Sequence, residues 1–290
     1  MKQRTIAIWG GDTRQAYAAR AFLRAGWAVR QFEVPAVPGI ASGEVCGSLG
    51  EAIKHAEIVL GPVPLKNFDT DQLLKHLSAK QVFFAGMIPH ALRHALRRAN
   101  ISFFDLLERD DFATLNAIST AEGAIAEAIA ASADTLHLCP TLVLGYGRCA
   151  KPLIKKLQGL GCQITVVARR WESACAAIAD GCEVLDFSVL SFHLPRFGYI
   201  FNTVPAVVLD EPLLQNISPE ATVIDIASAP GGLDYSAADR LGLNAKLCGS
   251  LPGKYAPCST GESIAQVTRI ILEEREGAAW GWNKPASVSD

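Results

Sequence analysis

The run LVLGYGRCA at residues 142–150 restricts what this chain can fold into more than any other segment does. It sets Gly145, Gly147 and Ala150 in the pattern GxGxxA, directly after a strand-like apolar run and at the opening of a helical one. Gly145 permits a tight turn, Gly147 lets backbone approach a pyrophosphate, and Ala150 lets the helix pack closely on the strand. The bare pattern is common, but its setting is more specific. A helix to about residue 160, a strand ITVVA at 164–168 and a helix from about 172 to 179 follow it. Further strand-like runs come at 182–185, 199–201, 222–226 and 245–248. The sum is a doubly wound dinucleotide-binding unit of Rossmann type, the alternative being a structural glycine turn that holds no cofactor.

The end of the second strand indicates which dinucleotide. An acidic residue there would accept hydrogen bonds from the ribose hydroxyls of NAD, whereas the chain reads Ala168, Arg169, Arg170. A guanidinium pairs with a 2′-phosphate, so NADP is expected, with NAD possible, and Arg148 inside the turn adds to the same phosphate pocket. Solvated surface charge is the plainer account of each arginine.

The first part of the chain has the same rhythm. TIAIW at 5–9, a helix at about 14–25 and AVRQF at 28–32 are followed by apolar runs at 57–60, 81–84 and 101–104 and helical patterns at 71–77 and 90–99. Repeated strand then helix implies parallel strands covered on both faces. The Gly-, Pro- and Ser-containing stretch 34–50 reads as loop. Ala-rich residues 115–132 read as a helix crossing between domains, its start capped by Ser119 or Thr120, and 260–275 as a returning helix. The expected fold class is therefore α/β, two doubly wound parallel-sheet domains. The first covers 1–118 and is completed by 260–275, the NAD(P)-binding second covers 119–259, and 277–290 form a flexible tail.

A faint repeat links the halves. Gly10 and Gly26 lie 16 residues apart, as do Gly145 and Gly161, but Asp12 stands where the second half has Gly147. A carboxylate there repels a pyrophosphate, so only the second unit is competent for a dinucleotide.

Composition excludes other classes. The 290 residues carry a net charge of -2, which argues against nucleic acid or an anionic membrane as partner. The 8 cysteines form no CxxC pair, which suits reduced thiols in the cytoplasm, and no signal peptide or apolar run of about 20 residues is expected to reach a membrane. The 6 histidines lack ligand spacing, so no metal site is expected, and His193, in an expected loop beside Pro195, has no second residue marking it as a base.

Ligands approach the carboxyl ends of strands in such folds. Three polar clusters lie at such ends: Asn202, Thr203 and Pro205; Ser228 with Pro230, Gly231 and Gly232; and the loop LPGKYAP containing Lys254. Thr203, Ser228 and Lys254 are the candidate catalytic residues, as hydrogen-bond donors and positive charge, and turn formation accounts for several of them equally well. Asn202 is a candidate cofactor contact. His90, Asn116, Thr120 and Glu122 are candidate substrate-binding residues, helix capping and solvation being the alternatives for the last two. Asp225, inside TVIDIAS, is either half buried with a partner or turned to an edge.

Over residues 4–275 the chain resembles the A subunit of dipicolinate synthase, a sporulation enzyme of spore-forming Firmicutes. The resemblance rests on IAIWGGDTRQ, LGPVP, LNAISTAEGAI, LGYGRCA, FNTVPA, IDIASAPGG and LPGKYAP in that order. Around the turn the family string often has Thr and Gly where this chain has Cys149 after Arg148. The resemblance implies a flavodoxin- or Rossmann-like first domain, a nucleotide-binding second one and a separate flavoprotein-like B subunit. The implied reaction is NAD(P)-dependent oxidation of a dihydrodipicolinate, formed from 4-hydroxy-tetrahydrodipicolinate, to dipicolinate in the mother-cell cytoplasm. It carries Gly145, Gly147 and Ala150 over as cofactor residues, and Asn202, Thr203, Ser228 and Lys254 as active-site positions. A dehydrogenase of another small carboxylate or 2-hydroxy acid and a non-catalytic nucleotide-binding partner are the competing readings, and a homo-oligomer is expected.

Overall fold

The computed structural model describes residues 3–66 and 68–277, so the expected tail lies, from residue 278 on, outside the described residues. The described residues form two compact units, one drawn from 3–113 and 257–277, the other Thr114–Ala256.

The first unit runs β1 (Thr5–Trp9), α1 (Thr13–Arg24), β2 (Ala28–Phe32), β3 (Glu44–Val45), α2 (Leu49–Ile53), β4 (Ile58–Leu60), α3 (Thr70–His76), β5 (Val82–Ala85), α4 (His90–Arg98) and β6 (Ser102–Asp105). The long helix α5 (Asp110–Ala131) begins in this unit and continues into the second. The second unit then runs β7 (Pro140–Leu144), α6 (Ala150–Gly159), β8 (Gln163–Val167), α7 (Trp171–Ala179), β9 (Glu183–Leu185), α8 (Leu190–His193), β10 (Tyr199–Asn202), α9 (Glu211–Leu214), β11 (Thr222–Asp225), α10 (Tyr235–Arg240), β12 (Asn244–Leu247) and α11 (Leu251–Tyr255). The last helix, α12 (Pro257–Arg275), returns to the first unit, where Gly261 lies against the backbone of Arg14 and Ala18.

Both sheets are all-parallel, with orders β3-β2-β1-β4-β5-β6 and β9-β8-β7-β10-β11-β12. Each is the 3-2-1-4-5-6 winding, whose direction reverses between β1 and β4 in one unit and between β7 and β10 in the other. Alternate residues of each central strand go to opposite faces. Leu142 and Leu144 join a cluster with Leu194, Ile200 and Ala237, while Val143 joins Ala150, Leu153 and Phe201. Both faces are buried, which is why these strands read as continuous apolar runs. The first unit repeats this, with Ile6 and Ile8 beside Phe22 and Ile271, and Ala7 and Trp9 beside Ile53 and Leu92.

Four local expectations change. Residues 34–50 are not all loop, because Glu44–Val45 pairs with β2 and α2 starts at Leu49 behind the Ser48 cap. Ser119 and Thr120 do not cap a helix, since α5 has begun at Asp110 and the Thr120 hydroxyl donates back to the Asn116 carbonyl at 2.9 Å. LPGKYAP is a short helix, α11, seated by buried Leu251, rather than a loop. His193 ends α8 instead of lying in a loop.

Candidate functional site

The winding of the second sheet reverses where β7 and β10 lie side by side, and the glycine turn stands directly after β7. Gly145 takes φ 95°, a left-handed conformation costly for any residue with a Cβ. Its amide donates to the Val167 carbonyl at 2.8 Å, tying the turn to the end of β8. Tyr146 turns inward, and its hydroxyl reaches the Asp180 carboxylate at the end of α7. Burial, then the hydrogen bond to Asp180, pushes that phenol well above its usual range. Gly147 faces open space, with nothing within 4 Å of where a Cβ would stand. Ala150, fully buried, opens α6 against Val143 and Phe201. A backbone with no side chain over it, at the start of a ten-residue helix, fits the pyrophosphate of a dinucleotide.

Beside this turn the chain leaves β8 through Ala168, Arg169 and Arg170. Both arginines are exposed, and among the described residues neither side chain has an ion pair or hydrogen bond. Arg148 is also exposed, within the turn itself.

At the end of β10, Thr203 donates its hydroxyl to the Leu144 carbonyl at 2.8 Å and sits against Gly145. Asn202 is fully buried and committed to the protein: it donates to Asp225 at 2.8 Å and to the Val204 carbonyl at 3.1 Å, and accepts from the Val204 amide at 3.1 Å. The side chain expected to contact cofactor thus braces the ends of β10 and β11. Asp225, for which sequence allows either a buried or an edge position, is fully buried and accepts from Asn202, the amides of Ala227 (2.9 Å) and Gly232 (2.6 Å), and the Tyr235 hydroxyl (2.8 Å). Those four bonds shape the loop on which Ser228 is exposed.

Lys254 lies elsewhere in the same unit. It and Lys246 both pair with Glu127, a buried carboxylate on α5. Hydrogen bonds from Lys246 and Lys254 outweigh burial and hold Glu127 down at about 2. Glu127 is invisible in sequence because it sits among alanines with no motif around it. Glu122 is likewise engaged, with Lys156 at 2.8 Å on an exposed surface. Asn116 has a buried Oδ1 with no partner among the described residues, and Thr120 is occupied within its own helix. His90 begins α4 in the first unit and is exposed.

One cluster has the side chains for a metal: ligand atoms of Glu44, Cys46 and Glu51 lie within 4.8 Å of one another. The Arg30 guanidinium stands 3.5 Å from Glu44 and 3.8 Å from Glu51, so a protein cation already balances these acids. No helix among the described residues is long and apolar enough to cross a membrane.

Two Rossmann-type windings, the second with an open glycine turn at its reversal point, define a dehydrogenase-type α/β protein. The family of the N-terminal domain of the dipicolinate synthase A subunit matches residues 5–107, and the A subunit of dipicolinate synthase from Bacillus subtilis is 30% identical over 79% of this chain and 76% of its own. The chain belongs to the family of dipicolinate synthase A subunits. The crystal structure of the A subunit from Bacillus halodurans is similar to it at 27% identity and TM-score 0.83, covering 93% of this chain and 97% of that one. D-lactate dehydrogenase of Escherichia coli shares the fold alone, with TM-score 0.68 at 12% identity over 95% and 98% of the two chains.

Proposed function

We propose that this chain oxidises a dihydrodipicolinate to dipicolinate with NADP as electron acceptor, acting with a flavoprotein-like B subunit in the cytoplasm of a sporulating mother cell. The observation that carries this reading is the open turn at Gly147 beside two unpaired arginines, Arg169 and Arg170, in a chain of this family. The relatives are named as the A member of a synthase, and that naming supports a B member beside it.

In the balanced reaction, 4-hydroxy-tetrahydrodipicolinate first loses water, and the dihydro ring then gives up one hydride and one proton to become aromatic. The bound nicotinamide supplies the two-electron acceptor. Gly145, Gly147 and Ala150 would hold its pyrophosphate, with Arg169, Arg170 and Arg148 around the 2′-phosphate. The Thr203 hydroxyl has its proton committed to Leu144 and keeps lone pairs to accept from a ligand, while Ser228 offers an exposed donor. Lys254 would have to leave Glu127 to neutralise a substrate carboxylate, so it is the least prepared of the three expected catalytic residues. Aromatisation drives the ring oxidation, so binding and orientation are the chain's main contributions.

The test supplies enzymatically generated 4-hydroxy-tetrahydrodipicolinate and NADP or NAD to the protein with and without the B partner. Reduced nicotinamide and the pyridine product are followed together by ultraviolet absorbance. Their coupled, protein-dependent appearance supports the reading. Reduced cofactor without dipicolinate points to another carboxylate substrate, and neither signal in a protein that binds NADP points to a binding role.

A further inference from the structure

The first unit repeats the winding of the second but not its glycine turn. After β1 the chain reads Gly10, Gly11, Asp12, with both glycines left-handed at φ 60° and 82°, in the place where β7 is followed by Gly145, Tyr146, Gly147. The reversal point of a doubly wound sheet is where ligands bind, so this second one should have an occupant of its own. Asp12 excludes a pyrophosphate. It caps α1 through the Arg14 amide at 3.0 Å and takes both Nε (2.8 Å) and Nη2 (2.7 Å) of the Arg14 guanidinium. Burial pushes the Asp12 carboxyl up, but the hydrogen bonds and charge of Arg14 outweigh it and hold the group below the usual range.

Arg14 is only 5% exposed, and among the described residues two neighbouring side chains at this strand end each bury a polar atom that has no partner. Gln15, 2% exposed, gives its Nε2 to the Gly61 carbonyl at 2.6 Å across the reversal point and leaves Oε1 unpaired. Trp9, 7% exposed, leaves its indole N–H unpaired, and that nitrogen lies 3.4 Å from where a Cβ on Gly61 would stand. Gln15 thus stands against Gly11 and Gly61 and the Trp9 indole against Gly61, so an amide acceptor and an indole donor lie beside glycines of both strands, while the Arg14 guanidinium at the start of α1 is held by Asp12. Burying the Trp9 N–H and the Gln15 carbonyl oxygen unpaired costs about 1–3 kcal/mol each, a cost that a ligand with matching groups removes.

We propose that the carboxyl end of β1 and β4 is the dicarboxylate site, with Arg14 binding a ring carboxylate and the Trp9 indole N–H and Gln15 carbonyl completing its hydrogen bonds. This rests on the function proposed above and names the substrate-binding residues for it. Asp12 already neutralises much of the Arg14 charge, which suits a singly charged carboxylate better than a phosphate. The motif WGGDTRQ, which the cofactor site leaves unexplained, is then the substrate counterpart of LGYGRC.

The test titrates dipicolinate by calorimetry into wild type, Trp9→Phe, and Arg14→Gln in an Asp12→Asn background, where Asn keeps the helix cap and no carboxylate is stranded. NADP is titrated in parallel. Expected are about tenfold or greater weakening of dipicolinate binding in the Arg14 variant and about threefold to tenfold in Trp9→Phe, with NADP affinity unchanged. In wild-type protein, the proton–nitrogen peak of the Trp9 indole should also move on addition of dipicolinate, a readout that needs no variant to fold. Equal dipicolinate affinity in wild type and variants, or a stationary indole peak in a protein that binds dipicolinate, overturns this inference alone. Binding of NADP but not dipicolinate by wild type overturns the functional reading as well.

Discussion

A side chain on Gly145 would meet the Thr203 hydroxyl at 2.6 Å, whereas one on Gly147, two residues on, would meet nothing within 4 Å. The two glycines of one motif therefore differ: the first is required by the fold, and the second faces open space, where the proposed dinucleotide would lie. Gly145→Ala should destabilise the second unit by about 2 kcal/mol or more, from left-handed strain plus the collision. Gly147→Ala should leave stability within about 0.5 kcal/mol of wild type yet weaken dinucleotide binding at least tenfold, about 1.4 kcal/mol. Chemical denaturation beside an NADP titration separates the two, and equal loss of stability in both would contradict the open turn.

Much of this is legible in the sequence because buried parallel strands and glycine turns leave strong local marks. LVLGYG and VVARR place the turn and the two arginines on adjacent strand ends. Segments held by tertiary contact alone leave little mark. Glu44 and Val45 are both exposed and only two residues long, so β3 has neither alternation nor an apolar run. In α11, Pro252 and Gly253 suggest a loop, and it is the packing of Leu251 against Gly123 that fixes the helix. The long-range partners of Asp225 and Glu127 depend on which strands and helices are neighbours, which no short motif encodes.

The pair Arg169 and Arg170 predicts cofactor choice. Replacing both with glutamine removes the charge-assisted bonds available to a 2′-phosphate, worth about 1.5–3 kcal/mol for a charged hydrogen bond. NADP binding should fall tenfold or more while NAD binding stays within about twofold. The wild-type preference should also shrink with added salt, since both side chains are exposed. Fluorescence titration with each nucleotide reads this out, and a wild type that binds NAD as tightly as NADP would defeat the assignment.

Glu127 gives the second unit an acid-sensitive element. Its folded value of about 2 lies below its usual 4.5, so its contribution to stability is complete above about pH 4.5 and is lost as pH falls from there toward 2. Lys246 and Lys254 are each about half exposed, so solvent screening trims the Coulombic part. Glu127→Gln should cost about 1–3 kcal/mol at neutral pH and flatten the acid limb of the stability profile. Denaturation midpoints across the acid range test it, and an unchanged acid limb in the variant would remove Glu127 from the account.

Asp225 joins the end of β11 to the loop beyond it. An ionised carboxylate is acceptor-only, and here it receives one side-chain amide, two backbone amides and one phenol without exposure to solvent. Burial, then the bond to Asp225, pushes the Tyr235 phenol far above its usual range, so the tyrosine stays a donor throughout the working pH range. Asp225→Asn keeps the shape but turns one acceptor oxygen into a donor, setting like against like in a fully buried site. The expected loss is about 2–4 kcal/mol, and the loop bearing Ser228 should loosen before the sheet does. Tyr235→Phe, which removes a single donor and leaves the carboxylate three partners, should cost about 1 kcal/mol. Hydrogen exchange of the Gly232 amide measures the effect directly: its protection should fall sharply in Asp225→Asn and only slightly in Tyr235→Phe, and equal protection in both variants would mean that the loop is held by its apolar contacts instead.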